Sequence, residues 1–385
     1  MASVLSLSAA MPTKSQRGMI AEPGSAWEEC EAALDRRGTP LPLFHRALWA
    51  RASKTAGIDC WFIPIRAPDG TCKAGFAVEG GRSRALPGHR LLSVRQLGIG
   101  SGGLDEASLD AGLAMLADRA RSDHSVLRVT VESFAVEADD RQRTAELLRR
   151  YGFLQTPTTR TYQRTLLLDL RPEQETIFAG LHKNARQGIR NVARYPVVVK
   201  TAESGSIASR LEQLAEQAHQ RTGGEPRRLD WDSLIRLSQK APELSRIAIL
   251  ERTDRSGPES VLAFAWGCVH GNVGQYSESG SVRASDLKVS TSYALLWDLI
   301  LWARSKGAHW FDLGGITGGT THSDDALGGI SDFKRRFSQR EVEVGGQWEL
   351  EPHPTRAAAA RFISRSARVL RQTAKTIGKQ RRGGR

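Results

Sequence analysis

Hydrophobic positions in the first half of the chain alternate between a helical and an extended spacing. Between Asp105 and Asp123, leucines recur at intervals of three and four residues, which is typical of one buried helix face. The next stretch, SVLRVTVESF, alternates apolar and polar residues as a half-buried strand does. From Cys60, two apolar runs flank an Asp-Gly pair, which predicts a hairpin. Strands and helices are therefore interleaved in an α/β manner.

The second half shows the same rhythm. Strand patterns at YPVVVK, SRIAILER, VLAFAWGCVHG and NVGQYSESGS precede the helix pattern TSYALLWDLILWARSKG, and AHWFDLGG follows as a strand. The strand pattern Thr161 to Leu170 is assigned to the first half, which it closes. We therefore predict two mixed α/β units: a leader (1–25), an N-terminal domain (26–168), a C-terminal domain (169–350) and a basic tail (351–385).

Length and composition agree with two domains in the cytoplasm. A chain of 385 residues exceeds one ordinary core, and roughly 150 residues per domain gives two. No apolar run approaches the ~18 residues of a membrane span, and the N-terminal stretch lacks the basic start of a secretory signal. The four cysteines show no C-x-x-C spacing, so we expect packing thiols, without a disulfide framework or a metal site.

The formal net charge of +13 arises mostly at the C-terminal end. Ten of the 55 Lys and Arg residues, and none of the 42 Asp and Glu residues, lie between Arg356 and Arg385, which leaves a net charge of +3 on the preceding part. Such an arm suits RNA phosphates or anionic lipid. The alternative is a solvated helix or a floppy tail with no partner.

A second basic feature lies in the sequence HKNARQGIRNVAR. At helical spacing its apolar residues fall on one side and its cations on the other. The cationic side comprises Lys183, Arg186, Arg190 and Arg194. Arginine forks and lysine point charges bind phosphates in this way, although a solvated helix face gives the same pattern.

The strand pattern WFDLGG carries a carboxylate and ends in two glycines, Gly314 and Gly315. Glycine permits a positive φ or a close approach of backbone to a ligand. Asp312 points away from its apolar neighbours, either toward a site, where it would orient or deprotonate an amine, or toward a buried hydrogen-bond donor.

A polar, glycine-rich loop from Gly318 to Gly329 precedes the sequence ISDFKRRF. Phe333 can shield Lys334 from water, and a desolvated ammonium stabilises developing negative charge well. The alternative is an ordinary basic helical turn. The sequence RQLGIG fits a phosphate-loop pattern only weakly, and the histidines show no metal-like or triad-like spacing.

Taken together, the segments YQRTLLLDLRPEQETIFAGLHKNARQGIRNVAR, QYSESGS, SYALLWDLILWARSKGAHWFDLGG and GGISDFKRRFSQREVEVGGQWEL resemble the Fem-type aminoacyltransferases, which build peptidoglycan cross-bridges. More broadly, they resemble the tandem GNAT-like acyltransferases. The resemblance covers about Leu147 to Leu350 well and the N-terminal half in outline. It implies two GNAT-like domains, no metal and no cofactor. It also implies that the last strand, Trp348 to Glu351, packs against the first domain.

The resemblance implies transfer of an amino acid from aminoacyl-tRNA to an amino group of a peptidoglycan precursor, UDP-linked or lipid-linked. The family's Phe-Lys pair matches Phe333 and Lys334, with the lysine stabilising charge on the attacked carbonyl or the tRNA end. Tyr276 matches a tyrosine of the second domain, and Arg221 a substrate-binding arginine. Lys183, Arg186 and Arg190 would bind phosphates. We expect a cytoplasmic monomer that contacts the inner membrane surface through its basic tail.

Two other functions fit the same sequence. The first is an acyl-CoA-dependent N- or O-acyltransferase of polysaccharide or secondary-metabolite biosynthesis, which keeps the fold and changes the donor. The second is a non-catalytic protein that binds RNA or a membrane surface through its basic arm. The first would be insensitive to RNase, and the second would be insensitive to Lys334→Ala.

Overall fold

A computed structural model describes residues 25–55, 57–156, 163–222, 229–282, 286–287, 289–364 and 366. The described chain forms two mixed sheets flanked by helices, so the predicted α/β class is confirmed. The predicted leader lies outside the described residues apart from Ser25, with which the first helix begins. Most of the predicted tail lies outside them as well.

The first sheet has six strands in the order β1-β2-β3-β4-β13-β5. Its hairpin β1–β2 is the one that the Asp-Gly pair predicts, and β3 pairs with β4 in parallel. The strands are β1 (Asp59–Arg66), β2 (Cys72–Arg82), β3 (Arg90–Leu97), β4 (Val126–Ser133), β5 (Leu154–Gln155) and β13 (Gln347–Leu350).

Four helices cover this sheet: α1 (Ser25–Arg36), α2 (Ala47–Thr55), α3 (Glu106–Ser122) and α4 (Ala138–Arg150). The helix α3 begins where Asp105 accepts a hydrogen bond from the backbone N–H of Ser108, at 2.8 Å, a side-chain cap that satisfies a free donor. Its periodic leucines enter the core on one face of the sheet, as predicted. The helices α1 and α2 pack on the opposite face.

The second sheet has seven strands in the order β12-β6-β11-β10-β9-β8-β7. These strands are β6 (Arg164–Asp169), β7 (Val197–Thr201), β8 (Ser245–Arg252), β9 (Val261–His270), β10 (Val273–Ser281), β11 (Trp310–Gly315) and β12 (Glu341–Glu343). Its helices are α5 (Gln174–Gly180), α6 (Lys183–Asn191), α7 (Ala208–Thr222), α8 (Trp231–Lys240), α9 (Thr291–Ser305) and α10 (Gly328–Arg335). Helices α5, α6 and α9 line one face, and α7 and α8 line the other.

The second unit contributes one strand to the first sheet. β13, from the end of the second unit, lies between β4 and β5 of the first sheet, which confirms the predicted return of the last strand. β6 lies between β11 and β12 of the second sheet, so the assignment of Thr161 to Leu170 to the first unit is wrong. The predicted domain boundary between residues 168 and 169 falls inside β6. Strand partners depend on distant sequence, which a local pattern does not reveal.

The units also share a core. Phe44 and Trp49 of the first unit pack with Trp266 of β9, and the rings of Trp49 and Trp266 stack with centroids 5.8 Å apart. Buried aromatic pairs of this kind contribute beyond their area. The units are therefore joined by packing as well as by backbone pairing.

The cysteines differ from the sequence expectation. Cys30 of α1 and Cys72 of β2 form a disulfide, so the prediction of packing thiols is wrong for this pair. Cys60 and Cys268 are buried thiols outside this disulfide, as predicted. Spacing 42 residues apart gives no local signal for the pairing. Within the described ranges, no helix combines the length and apolar character needed to cross a bilayer.

Candidate active site

The parallel strands β10 and β11 separate near their carboxyl ends. Their pairing covers Val273 to Gln275 against Trp310 to Asp312. Beyond this point β10 carries a register shift between Tyr276 and Glu278 against β9, and β11 carries one between Asp312 and Gly315 against β6. Carboxyl ends of parallel strands commonly border ligand sites in α/β sheets. The residues predicted from sequence as catalytic lie around this opening.

Gly314 has a left-handed backbone conformation, with φ of 79°. Its N–H donates to Oδ1 of Asp312 at 2.7 Å, and a Cβ built at this position would lie 3.1 Å from Nζ of Lys334. Glycine accepts this conformation without the steric cost of a side chain. The glycine pair thus turns the backbone and leaves room for the lysine.

Lys334 reaches into the opening from α10. Its ammonium donates to the carbonyl oxygen of Gly315 at 2.8 Å and lies 5.9 Å from the ring centroid of Tyr276. The residue is only 8% exposed. Burial lowers the pKa of Lys334 to about 8, while the nearby charge of Asp312 acts in the opposite direction. The result is a cation held in a medium where its field is strong.

Asp312 lies deeper, with 1% of its surface exposed. Its Oδ1 accepts hydrogen bonds from the hydroxyl of Thr165 and the N–H of Gly314, whereas Oδ2 has no hydrogen-bond partner among the described residues. Burial raises the pKa of Asp312; the two hydrogen bonds and the charge of Lys334 oppose that rise. Oδ2 is therefore a buried acceptor that no described residue satisfies.

One aromatic side chain, Tyr276, lies beside the ammonium, and a second, Phe333, precedes Lys334 on α10. Tyr276 donates its hydroxyl hydrogen to Oγ of Ser279, and burial raises the pKa of Tyr276 to about 12, so it remains a neutral phenol. Phe333 packs against the rings of Tyr293 and Phe337, with centroids 5.1 and 5.5 Å away. This aromatic cluster fixes the helix that carries Lys334.

The loop before α10 is held by side chains rather than left open. Thr317 donates to Asp325, its N–H donates to Oγ of Ser331 at 3.0 Å, and Arg335 donates to the carbonyl oxygen of Thr317 at 2.6 Å. Arg335 therefore serves the loop and not a ligand. The sequence also allowed an ordinary basic helical turn here. In the structure, Lys334 is buried and Arg335 binds loop carbonyl oxygens.

The cationic face of α6 lies near this helix, since the N–H of His182 donates to the carbonyl oxygen of Arg336 at 2.9 Å. Its apolar side is buried, as predicted. Arg186 donates to the carbonyl oxygens of Ala179 and Leu181, and its guanidinium is thereby engaged. Arg190 lies over the ring of Phe178, at 5.0 Å from the centroid.

Lys183 and Arg221 are exposed. Lys183 begins α6, and Arg221 lies in the last turn of α7, whose residues pack on β10. Within the described part of the chain, neither contacts Lys334 or Asp312. The structure thus brings together Lys334, Asp312, Gly314, Gly315 and Tyr276, with Phe333 alongside them on α10.

Sequence reasoning missed Thr165 and Tyr293. Thr165 donates to Asp312 from β6, a strand assigned to the wrong unit, so no sequence signal linked the two residues. Tyr293 supports Phe333 from the first turn of α9 and accepts a hydrogen bond from Arg336. The described residues include no group of His, Cys, Asp or Glu side chains that could hold a metal ion.

Residues 237–365 match the model of the FemAB family. This third of the chain contains Tyr276, Asp312 and Lys334. The resemblance to the FemAB family is confirmed over this stretch. No curated protein sequence matches the chain at a significant level.

Solved structures share the fold over most of the chain. A structure of FemX is 13% identical, covers 85% of this chain and 96% of its own, and has a TM-score of 0.63. A tandem GNAT protein from the clavulanic acid biosynthesis pathway is 12% identical, with coverages of 87% and 98% and a TM-score of 0.51. L-PGS from Bacillus licheniformis is 13% identical, with coverages of 90% and 99% and a TM-score of 0.50.

These likenesses show two GNAT-like domains in tandem, as predicted. Together with the FemAB match, which spans the opening between β10 and β11, they indicate an acyltransferase.

Proposed function

We propose that this protein transfers an aminoacyl group from aminoacyl-tRNA to an amino group of a peptidoglycan precursor. The observation that carries the proposal is the buried ammonium of Lys334, placed where β10 and β11 separate and where Asp312 offers a free acceptor. The FemAB match covers this site, and it supports the family resemblance on which the choice of an aminoacyl donor depends.

The reaction needs charge stabilisation more than a nucleophile from the protein. The neutral amine of the acceptor attacks the ester carbonyl, and negative charge develops on its oxygen. The C–N bond forms, the ester C–O bond breaks, and the proton lost by the amine balances the proton gained by the departing ribose oxygen. Lys334, desolvated and fixed by Gly315, is positioned to stabilise that oxyanion.

Asp312 would hold the acceptor amine through its free Oδ2. Its Oδ1 is fixed by Thr165 and Gly314, so the carboxylate is preorganised and pays little on binding. Tyr276 would donate or accept one hydrogen bond at the acceptor while remaining neutral. The ester is already activated, so neither a covalent intermediate nor a cofactor enters the proposal.

Phosphates of the acceptor or of the tRNA end would meet the cationic face of α6. Lys183 is exposed and would bind a phosphate directly. Arg186 and Arg190 would add positive charge while keeping their present contacts. Arg221 would contribute from the end of α7, beside β10. We place the reaction in the cytoplasm, with one chain as the active unit.

The test is a donor competition with the full chain. Purified protein is incubated with a panel of radiolabelled aminoacyl-tRNAs, with UDP-linked and lipid-linked precursors, and with acetyl-CoA as the competing donor. We expect label from one aminoacyl-tRNA on the precursor, and no transfer after RNase treatment. Transfer from acetyl-CoA that survives RNase would instead establish the acyl-CoA-dependent alternative.

A further inference from the structure

A cavity of about 330 Å³ lies at the β1 edge of the first sheet, between α1, the end of β1 and the start of β2. None of its lining residues belongs to the candidate active site, and the proposed transfer reaction does not use it. Its volume is at the small end of the range for small-molecule sites. Two features of its wall, a disulfide and a set of arginines, together indicate one class of ligand.

The disulfide between Cys30 and Cys72 forms part of the cavity wall. It connects α1 to the first residue of β2. Elsewhere the two residues are well covered, since Cys30 is 2% exposed and Cys72 is 4% exposed. Attack on a disulfide requires access to a sulfur atom. The cavity therefore gives a small molecule a route to sulfur atoms that are covered against a large reductant.

Three arginines line the same cavity: Arg36, Arg37 and Arg66. Nη1 of Arg37 donates to the carbonyl oxygen of Cys72 at 2.9 Å, and Nη1 of Arg66 donates to a carbonyl oxygen of the β1–β2 turn at 2.8 Å. Among the described residues, none of the three arginines forms an ion pair within 4.0 Å. The lining also includes the carboxylate of Glu29, and its formal charge stays positive.

We propose that this cavity binds a small thiol that carries two carboxylates and an ammonium group, and that this thiol reduces the Cys30–Cys72 disulfide. The carboxylates pair with the arginines, whose forked N–H groups suit bidentate contacts, and the ammonium pairs with Glu29. The arginines also favour the reactive form of the thiol, because a nearby positive charge stabilises a thiolate.

The reduction consumes two molecules of the thiol. The thiolate of the first attacks one sulfur of the bridge; the S–S bond breaks, a mixed disulfide forms, and the other cysteine leaves as a thiolate. The thiolate of the second molecule attacks the external sulfur of the mixed disulfide and releases the remaining cysteine. The two electrons come from the two thiols, which leave as their own disulfide, and their two protons pass to the two cysteines.

A charged thiol explains more of the cavity than simpler ligands do. An inorganic anion would use the arginines and leave the sulfur atoms without a role. A neutral thiol would use the sulfur atoms and leave three cations without a partner. A thiol with carboxylates uses both features at once. The proposal does not depend on the transfer chemistry.

The test is the rate of reduction of the full chain, purified without reductant. Reduction is followed by alkylation of new thiols and mass spectrometry of the peptides that contain Cys30 and Cys72. Glutathione, which carries both carboxylates and the amine, is compared with 2-mercaptoethanol, which carries neither, at equal thiolate concentration. We expect a rate that saturates with glutathione and exceeds the 2-mercaptoethanol rate by roughly tenfold, an advantage that ~0.5 M NaCl reduces.

Arg36→Gln/Arg66→Gln is the test variant, because it leaves Arg37 and its hydrogen bond to Cys72 in place. The variant should lose the preference for glutathione, while 2-mercaptoethanol should reduce it at the parental rate. Thermal unfolding at the parental temperature shows that the variant keeps its fold. A folded variant that retains the full preference for glutathione overturns the proposal.

Arg82→Gln/Arg84→Gln is the matched control, since both arginines are exposed on the first unit and lie outside the cavity lining. It should keep the preference for glutathione, and an equal loss in both variants would reduce the effect to the overall charge of the protein and overturn the assigned site. The proposal also falls if the two bridge cysteines of the parent are alkylated before any thiol is added.

Discussion

Each unit contains one parallel pair of strands, and the two pairs differ in the length over which they stay paired. In the first unit, β3 and β4 pair from Arg90 and Val126 to Leu97 and Ser133, with register shifts after Arg90 and after Val94. The N–H of Phe134 still donates to the carbonyl oxygen of Leu97 at 3.0 Å. In the second unit, β10 and β11 pair over three residues and then separate around Lys334. A duplicated architecture can thus keep one pair closed for stability and open the other for chemistry.

A cation lies near each strand pair, Arg95 beside β3 and Lys334 beside β10 and β11, and the two cations differ in their partners. Arg95, near the end of β3, pairs with Glu79 at 3.1 Å and lies over the rings of Phe44 and Trp49. Lys334 forms no ion pair within 4.0 Å among the described residues and bonds only a carbonyl oxygen. A buried cation with a close partner holds structure, whereas one without a close partner can respond to charge that develops on a ligand.

The largest effect should come from the open pair. Lys334→Ala removes the cation, and we expect a loss of roughly tenfold or more in kcat/KM, as ~1.4 kcal/mol of lost transition-state stabilisation requires. The measurement is the initial rate of aminoacyl transfer, with circular dichroism to confirm folding. Lys240→Ala, on the exposed end of α8, is the control and should keep the parental rate. A parental rate in Lys334→Ala would remove Lys334 from the mechanism.

Gly98→Ala and Gly314→Ala should distinguish the structural role of the β3–β4 pair from the catalytic role of the β10–β11 pair. A Cβ on Gly98 would lie 2.2 Å from the carbonyl oxygen of Phe134, so Gly98→Ala must push backbone apart. We expect a loss of about 1–3 kcal/mol in the free energy of unfolding and an unchanged rate per folded molecule. Urea unfolding and active-site-normalised rates provide both numbers.

Gly314→Ala should lower the reaction rate as well as the stability, whereas Gly98→Ala should lower the stability alone. Its new Cβ meets the flexible end of Lys334, so the ammonium moves aside and kcat falls by roughly threefold or more. The left-handed backbone adds a stability cost of about 1–2 kcal/mol. If Gly98→Ala lowered kcat more than Gly314→Ala did, the assignment of chemistry to the second pair would be wrong.

The pH profile offers a smaller and more selective test. The pKa of Lys334 is lowered to about 8, so the ammonium is present below that pH and is lost as the pH rises through it. The acceptor amine becomes more reactive in the same direction, and kcat/KM should therefore pass through a maximum and fall above pH of about 8. Lys334→Arg keeps its charge and should lack the alkaline fall. An identical fall in both proteins would assign it to another group.

Local patterns predicted most elements of the fold. The leucine spacing in α3, the alternation in β4 and the Asp-Gly hairpin each depend on nearby residues, and each lies where the sequence placed it. Strand partners do not depend on nearby residues. β6 was therefore assigned to the wrong sheet, and the Cys30–Cys72 pair went unpredicted, although both follow from contacts between distant segments.

The candidate site likewise contains residues that the local sequence pattern predicts and residues that only contacts between distant segments reveal. Lys334, Asp312 and the glycine pair stood out because an unusual residue type interrupts an apolar pattern. Thr165 did not, because a threonine in a strand is ordinary and its value here arises from a partner 147 residues away. The arginines of α6 stood out as a cationic face, yet two of them serve carbonyl oxygens and an aromatic ring.

The position of β13 in the first sheet sets a limit on how this protein can be divided. A fragment that ends before β6 lacks the strand β13 between β4 and β5, and its complement keeps β13 without the strands that it pairs with. Each piece would expose unpaired backbone on a broken sheet, a template for aggregation. We therefore expect neither half to fold as an independent module when it is expressed alone, because the second unit carries a strand that completes the first sheet.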